Sequence, residues 1–272
     1  MNYRHAFHAG NFADLVKHAA LLSLISLMRR PITVVDTHAG AGRYDLAGPE
    51  ARRSGEAADG VAKLMAAAAR PPALEALTVA VGKQNGGGGL TVYPGSPLLA
   101  ASALSGADRL IACEMRPEEH ASLARLLAGR PNVETRCADG YTELTRLRAA
   151  GPALALIDPP FERADDYQRI IAAVCPWLAA GPDAIAMIWT PLKDLETFDA
   201  FLRDLRDACP REPLLVAETR MRPLTDPMRM NGCALVILRP PSGLAASLDA
   251  TCGWVAQHLG APGAQARVWS PA

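Results

Sequence analysis

Between residues 96 and 208, short apolar segments alternate with longer segments whose apolar residues recur at helical spacing. The predicted strands are residues 109–113, 133–137, 153–157 and 184–189, and the predicted helices are residues 118–128, 142–149, 166–179 and 194–208. A chain with this alternation forms parallel strands with helices packed on the sheet. The predicted class is therefore α/β with a mostly parallel sheet.

The end of the chain departs from this alternation. Residues 214–219 and 233–238 are both strand-like, and the segment between them carries arginines and prolines in place of a helical pattern. Two successive strands without a crossover helix predict an antiparallel hairpin at the end of the sheet. The segment after Gly260, rich in Ala, Pro and Gly, is expected to be peripheral.

The first 36 residues predict a helix followed by a buried strand. Apolar residues recur at helical spacing over residues 11–30, Asn11 can cap the start, and Pro31 ends the segment. Residues 1–30 carry Arg4, Lys17, Arg29 and Arg30 against one acid, Asp14, along with His5, His8 and His18. Such a local excess suits a nucleic-acid-binding patch, but charge alone favours a solvated helix face.

Residues 43–93 interrupt the α/β order. Helical patterns over residues 56–69 and 73–83 are separated by Pro71 and Pro72, and a run of four glycines follows at residues 86–89. We interpret this segment as a small helical insertion subdomain. The length fits a single domain over residues 1–272, with residues 1–30 as an N-terminal helix region.

Composition and charge limit the type of partner, the cellular location and the metal content that can be expected. The 28 basic and 28 acidic side chains give no net charge, so attraction of a nucleic acid has to be local. No apolar stretch is long enough to span a membrane, and the first ten residues lack the apolar core of a secretory leader. A cytoplasmic location and reduced cysteines are therefore expected, and neither the six cysteines nor the histidines show metal-ligand spacing, so no metal is predicted.

The segment Asp158-Pro159-Pro160-Phe161 directly follows the predicted strand at residues 153–157. Ligands bind beyond the carboxyl ends of strands in an open α/β sheet. The Asp158 carboxylate and the Pro159 carbonyl can accept hydrogen bonds from an exocyclic amino group such as adenine N6, and Phe161 can stack on the base. The alternative is a proline-rich turn in which Phe161 packs in the core and Asp158 is a cap.

The first predicted strand is residues 32–36, and Asp36 at its end begins the segment DTHAGAG, residues 36–42. Gly40 and Gly42 in this segment permit close approach of a cofactor. A nicotinamide enzyme is disfavoured, because no third glycine follows at the dinucleotide spacing and no acid ends a strand about 20 residues later. Glu114 ends a later strand, where its carboxylate can bind ribose hydroxyls or can lie at the surface.

Two further segments allow either a ligand role or a structural role. Asp139-Gly140 ends the next strand and can accept a hydrogen bond from a cofactor amino group, although such a pair often forms only a turn. In YPGSPL, Ser96 is expected to be the N-cap of a helix with Pro97 in its first turn, and the helix amino end can also bind a carboxylate.

Together these motifs resemble the ribosomal RNA large subunit methyltransferase J family, which methylates N6 of one adenine in 23S rRNA. The resemblance rests on YRHAFHAGN at residues 3–11, Asp14, Lys17-His18, DTHAGAGRY, YPGSPL and IDPPFE, and it spans essentially the whole chain. Phe161 stands where tyrosine also occurs in the family, so a hydroxyl is lost while the stacking face remains.

The resemblance implies a Rossmann-like S-adenosylmethionine-dependent methyltransferase fold with a seven-stranded sheet. It implies that Asp158 is the catalytic acceptor, supported by Pro159 and Phe161. The residues that it implies for S-adenosylmethionine are His18, His38, Gly40, Ser96, Glu114, Asp139, Gly140 and Asp158. Those that it implies for the substrate adenosine are Tyr3, His5 and Lys17.

The expected function is therefore direct in-line methylation of an adenine N6 in 23S rRNA by a monomer without a metal. Rival interpretations are an enzyme that acts on DNA adenine or on a protein glutamine amide, and a catalytically idle RNA-binding module of the same fold. The presence of Asp158 argues against the idle module.

Overall fold

The computed structural model describes residues 5–148, 151–226, 228 and 230–271 of the chain. Within them, eight strands form one sheet and two short strands form a separate ribbon. The strands are β1 (Thr33–Asp36), β2 (Arg43–Asp45), β3 (Val92–Pro94), β4 (Arg109–Cys113), β5 (Val133–Arg136), β6 (Ala153–Ile157), β7 (Ala184–Leu192), β8 (Leu214–Arg220), β9 (Gly232–Leu238) and β10 (Gln265–Trp269).

Helices are present at the predicted positions with small shifts at their ends, whereas the helices at Pro49–Ser54 and Leu244–Leu259 were not predicted. The helices are α1 (Phe12–Leu27), α2 (Pro49–Ser54), α3 (Lys63–Ala66), α4 (Pro72–Gln84), α5 (Ser96–Ala103), α6 (Pro117–Leu127), α7 (Gly140–Arg146), α8 (Asp166–Ala180), α9 (Leu195–Ala208) and α10 (Leu244–Leu259). A 3₁₀ turn at His5–Phe7 precedes α1, and a π-helix at Ala58–Ala62 precedes α3. Asn11 caps α1 as predicted, accepting a hydrogen bond from the Asp14 amide at 3.0 Å.

The strand order in the main sheet is β10-β8-β9-β7-β6-β1-β4-β5. The five strands from β7 to β5 are parallel, and β9 lies antiparallel between β7 and β8, which confirms the mostly parallel sheet with a terminal hairpin. After β5 the chain returns to place β6 on the other side of β1. The order therefore reverses between β1 and β6, where ligands bind in open α/β sheets.

The predicted strand number needs a correction. All seven expected strands are present, but β10 pairs antiparallel with β8 and adds an eighth at the edge. The segment after Gly260 is thus part of the sheet and not peripheral. Only five residues of this segment form a strand, and they are partly exposed at the sheet edge, so their apolar content gives a weak signal.

The two faces of the sheet bury separate apolar clusters, as the period of two along each strand requires. Val34 and Leu154 point to the side covered by α1, α4, α5 and α10, whereas Val35 and Ala155 point to the side covered by α7, α8 and α9. Every residue of β6 and β9 is buried, which explains their unbroken apolar sequences. The sheet is therefore a rigid base for the loops at its carboxyl edge.

Between β1 and α5 the structure contains α2, the π-helix, α3 and α4, so the helical segments predicted there are present. It also contains the ribbon of β2 and β3, which was not predicted because each strand has only three residues. The division of the chain into residues 1–30, an insertion at 43–93 and one overall domain stays a prediction. Among the described helices, none is both long and apolar enough to cross a membrane.

The expectation of reduced cysteines is wrong for one pair. Cys175 in α8 and Cys209 at the end of α9 form a disulfide with an S–S distance of 2.16 Å. The two residues are 34 positions apart, and only the packing of α8 on α9 brings them together. Cys113, Cys233 and Cys252 are buried thiols, and Cys137 is exposed.

Candidate active site

The loops after β1 and β6 lie side by side at the point where the strand order reverses. The Thr37 amide and hydroxyl both donate to the Leu156 carbonyl, at 3.0 and 2.9 Å. Asp158 therefore leaves the sheet next to the DTHAGAG loop, as the sequence predicted from the carboxyl ends of neighbouring parallel strands. Its side chain is mostly buried but reaches the wall of a cavity of about 920 Å³.

The cavity is lined by residues from the N-terminal segment, the insertion and the carboxyl ends of the strands. They include His5, Lys17, His18, His38, Gly40, Glu56, Ser96, Glu114, Asp139, Gly140, Asp158, Pro159, Phe161 and Trp189. Apart from Tyr3, which lies outside the described residues, the structure thus brings every predicted site residue to one cavity.

Phe161 is held in an unusual backbone conformation. Its φ is +49°, a left-handed value that a bulky side chain rarely adopts. Its ring packs against the rings of Tyr167 and Trp189, with centroid distances of 5.0 and 5.9 Å. Because strained backbone persists only where the surroundings impose it, the aromatic neighbours fix the Phe161 ring at the cavity wall.

A charged cluster connects α1 to the loop after β6. Lys17 Nζ lies 2.5 Å from Asp158 Oδ2 and 2.8 Å from Asp14 Oδ1. The other oxygen of Asp14 accepts hydrogen bonds from the Gly10 amide at 2.9 Å and faces His5 Nε2 at 3.1 Å. Asp14 and Lys17 are 2% and 4% exposed, so this cluster is a buried ion-pair network.

The charges of this cluster depend on one another. Burial alone raises the pKa of Asp14, but the charge of the neighbouring Lys17 reverses this and holds the pKa well below its usual range. Burial lowers the pKa of Lys17, but Asp14 and Asp158 reverse this and hold the pKa well above its usual range. Lys17 is therefore a fixed cation beside Asp158, which a solvated helix face does not provide.

Two histidines of the cavity wall are held neutral by burial. Burial lowers the pKa of His18 to about 3, and the pKa of His38 to about 4. His18 Nδ1 lies 2.8 Å from the Tyr93 hydroxyl, and His38 Nδ1 lies 2.8 Å from the Thr37 hydroxyl. Both rings therefore present neutral hydrogen-bonding groups at physiological pH.

Glu114 lies immediately after β4 and is held by main-chain groups. Its Oε2 accepts from the Gly40 amide at 2.9 Å, and its Oε1 accepts from the Arg116 amide at 2.7 Å. Gly40 has φ of +59°, and a Cβ there would lie 2.2 Å from the Tyr44 hydroxyl, so the loop requires glycine at this position. Burial raises the pKa of Glu114.

Asp139 and Gly140 have structural roles in this wall. The Asp139 carboxylate caps α7 by accepting from the Thr142 amide at 2.9 Å, and it also pairs with Arg169. A Cβ on Gly140 would lie 1.9 Å from the Thr37 carbonyl oxygen. Glycine is therefore needed for contact between α7 and the loop after β1, in addition to any space it leaves for a ligand.

Ser96 is buried at the start of α5, beside the end of β1. The N-cap of α5 is Gly95, so the expectation that Ser96 is the N-cap is wrong by one residue. Ser96 instead lies beside the carboxyl of Asp36, whose pKa is raised to about 7 mainly by burial. Among the described residues Asp36 Oδ2 has no hydrogen-bond partner.

A family model described as "Ribosomal RNA large subunit methyltransferase D, RlmJ" matches residues 29–271. The chain belongs to this RlmJ family. It is 31% identical to "Ribosomal RNA large subunit methyltransferase J" of Escherichia coli (strain K12), over 95% of this chain and 94% of that protein. It is 30% identical to the Haemophilus influenzae protein of the same name, over 89% of this chain and 88% of that protein.

A solved structure has the same fold. The crystal structure of a protein from Legionella pneumophila str. Philadelphia 1 is 27% identical to this chain and has a TM-score of 0.88, covering 97% of this chain and 98% of that one. The family resemblance read from the motifs is therefore confirmed, and so is the α/β methyltransferase fold. As a member of the RlmJ family, the chain is an enzyme of the methyltransferase class.

Sequence reasoning missed several residues of this RlmJ-family cavity. Glu56, Tyr141, Arg169 and Trp189 line it, but none of them belongs to a motif with an obvious ligand role. Of these residues, only Tyr141 could have been found from the sequence, because it directly follows the Asp139-Gly140 pair. Within the described ranges no group of three or more His, Cys, Asp or Glu side chains is placed to hold a metal ion.

Proposed function

We propose that this chain transfers a methyl group from S-adenosylmethionine to the exocyclic N6 of an adenine in 23S rRNA. The observation that carries the proposal is the position of Asp158-Pro159-Pro160-Phe161, which lines the same cavity as Glu114 and the Gly40 loop. The names of the two relatives, both ribosomal RNA large subunit methyltransferases, support RNA as the substrate. Membership of their family does not favour DNA as the substrate, and it does not favour a catalytically idle RNA-binding module.

The residues at the Glu114 end fit the cofactor. Each carboxylate oxygen of Glu114 accepts one main-chain amide and retains capacity for a ribose hydroxyl. Ser96 lines the same cavity and lies beside the buried carboxyl of Asp36. When bound, S-adenosylmethionine supplies a methyl group on a cationic sulfur. We assign Glu114, Gly40 and Ser96 to the cofactor on these grounds. We assign His18, His38, Asp139 and Gly140 to it by the family resemblance and by their position on the same cavity wall.

Asp158 is the group that we assign to the target base. Its Oδ2 is paired with Lys17, so Oδ1 is the oxygen assigned to one hydrogen of the amino group, and the Pro159 carbonyl is assigned to the other. These two acceptors concentrate electron density on N6 and hold it in line with the donor. The proton released from N6 passes to the Asp158 carboxylate.

Phe161 and the N-terminal residues complete the base site in this proposal. The Phe161 ring is fixed by Tyr167 and Trp189 and can stack on the adenine without rearranging. We assign His5 and Lys17 to the substrate side because both lie within the Asp14 cluster on the cavity wall, and Tyr3 by the family resemblance. A base reaches this site only if it is unpaired or flipped out of its stack.

The test is methyl transfer from labelled cofactor to unmodified 23S rRNA, followed by mapping of N6-methyladenine. Asp158→Asn should lower kcat by at least about a thousandfold. Lys17 binds the asparagine carbonyl oxygen and turns the NH₂ toward N6, where it can neither accept from the amino group nor take its proton. Cofactor binding measured by calorimetry should be largely retained. Asp165→Asn is the matched control, since Asp165 is an exposed aspartate seven residues away that pairs with Arg163.

Two outcomes would contradict the proposal. Near-normal turnover by Asp158→Asn would remove Asp158 from the chemistry. Transfer by the wild-type enzyme to DNA or to a protein amide, with none to rRNA, would replace the substrate. Action as a monomer without a metal, in the cytoplasm, belongs to the same proposal and stays a prediction.

A further inference from the structure

Glu56, which lies between α2 and the π-helix, contacts the segment at residues 5–11, here called the N-terminal loop. Its Oε1 lies 2.9 Å from His8 Nδ1, and its Oε2 accepts a hydrogen bond from Asn11 Nδ2 at 2.9 Å. The two partners are 48 and 45 residues away in sequence. One carboxylate of the insertion thus holds two points of the N-terminal loop.

The main chain reinforces this contact. The Val61 amide, within the π-helix, donates to the Gly10 carbonyl at 2.8 Å. A Cβ on Gly60 would lie 2.1 Å from that same carbonyl oxygen, so the contact is closer than any other residue permits. Single turns of π-helix are rare and occur often at functional sites. The local geometry of the insertion is therefore fitted to the loop that it touches.

The N-terminal loop is connected in turn to the charged cluster. The Asn11 side-chain oxygen accepts from the Asp14 amide, and the Gly10 amide donates to the Asp14 carboxylate. Asp14 holds Lys17, and Lys17 pairs with Asp158. A continuous path of hydrogen bonds and ion pairs therefore runs from Glu56 to the residue that we assign to the adenine amino group.

We propose that Glu56 is a positioning residue, which holds the N-terminal loop in the conformation that receives the target adenosine. The inference rests on the proposed function, because the loop carries His5, one of the residues assigned to the substrate. Glu56 itself acts through His8 and Asn11, which belong to the same loop as His5.

The solvent exposure of Glu56 and His8 indicates that their contact positions the loop and contributes little to the stability of the whole fold. The side chains of Glu56 and His8 are 35% and 40% exposed, and ion pairs at such positions add little to global stability. By contrast, the N-terminal loop lies outside the sheet, where local opening is easiest, and Glu56 holds it at two points. Loss of Glu56 should therefore loosen the loop while the rest of the chain stays folded.

The experiment measures steady-state kinetics of methyl transfer to a 23S rRNA transcript for the full chain and its variants. Glu56→Ala should raise the KM for RNA by about tenfold, because two charge-assisted hydrogen bonds are lost from a substrate-binding loop. The kcat and the KM for S-adenosylmethionine should stay within about twofold of wild type, since α1 keeps Lys17 and His18 in place. Glu56→Gln retains one acceptor and should give about a threefold rise.

Glu75→Ala is the matched control, because Glu75 also belongs to the insertion and pairs with Arg70 at 2.6 Å, but does not line the cavity. It should behave as wild type. A KM for RNA in Glu56→Ala equal to that of Glu75→Ala would overturn the inference. So would a fall in kcat alone together with a lower melting temperature, which is the result expected if Glu56 only stabilises the fold.

Hydrogen exchange gives a readout that is independent of activity. In Glu56→Ala the amides of Gly10 and Val61 should exchange faster, whereas those of β6 should be unchanged. Unchanged exchange at Gly10 and Val61 would overturn the inference even if catalysis were impaired. If wild type itself does not methylate 23S rRNA, the proposed function fails, and the exchange result still reports whether Glu56 holds the loop.

Discussion

The two ends of the cavity hold their carboxylates in different ways. At one end Asp158 pairs with Lys17, which also pairs with Asp14, and all three groups are largely removed from solvent. At the other end Glu114 is half-buried and accepts two main-chain amides from nearby loops. The first arrangement depends on several charged side chains that must all be present, whereas the second depends mainly on backbone geometry.

This difference has an energetic consequence. A buried ion pair returns little net stability, but removal of one partner leaves the other charge uncompensated in a low-dielectric environment. A carboxylate held by amides at a partly exposed position loses only individual hydrogen bonds when it is changed. We therefore expect substitutions at the Asp158 end to lower the free energy of unfolding. Substitutions at the Glu114 end should lower mainly the affinity for the ligand.

The largest effect is expected for Lys17→Met, which keeps most of the aliphatic volume but removes the charge between Asp14 and Asp158. The free energy of unfolding should fall by about 3 kcal/mol in urea denaturation. Lys63→Met is the control, because Lys63 pairs with Asp59 at 2.9 Å on the exposed surface and should cost less than about 0.5 kcal/mol. Equal losses for the two variants would show that the charged cluster is not energetically coupled.

A smaller effect at the same end concerns pH. His18 has a pKa of about 3 in the folded chain against an ordinary value of 6.5, because burial disfavours its charged form. Between these values the unfolded chain binds a proton that the native chain does not, so stability is lost as pH falls below about 6.5. The loss should be about 1.4 kcal/mol per pH unit from this histidine.

The measurement is the free energy of unfolding at pH 7.5, 6.5 and 5.5 for wild type and His18→Gln. Glutamine can still accept from the Tyr93 hydroxyl but does not titrate, so the variant should lose less stability on acidification. The difference between the two proteins should widen only below pH 6.5. An identical pH dependence in both would mean that His18 does not contribute to acid sensitivity.

The smallest effect on stability is expected for Glu114→Gln, because one of its two main-chain bonds survives. Unfolding should become easier by only about 1 kcal/mol. The dissociation constant for S-adenosylmethionine, measured by calorimetry, should nevertheless rise about tenfold, since the amide nitrogen cannot accept from a ribose hydroxyl. Glu118→Gln, on the exposed start of α6, is the control and should change neither quantity.

A result in which Glu114→Gln destabilises the protein as much as Lys17→Met would erase the contrast between the two ends. Unchanged cofactor affinity in Glu114→Gln, with normal stability, would instead remove Glu114 from the assigned cofactor site. Each outcome addresses one half of the comparison, so the two can be judged separately.

The elements that sequence periodicity encodes were predicted well. The helices and strands from α5 to β9 lie within a few residues of their expected ends, because each buries an apolar face of its own period. The position of Asp158 and of Glu114 at strand ends follows directly from this order. The strands β2, β3 and β10 were missed because three to five residues carry too little pattern. The helices α2 and α10 were also missed.

By itself, then, the sequence determined the α/β order, the family and the residues that end the strands. Only the tertiary structure decided that Lys17 neutralises Asp158, 141 residues away, that Glu56 holds the N-terminal loop, and that Cys175 bonds Cys209. The physical reason is that local pattern records which face of an element is buried. Which charged side chains meet across the cavity depends on how α1, the insertion and the sheet pack together.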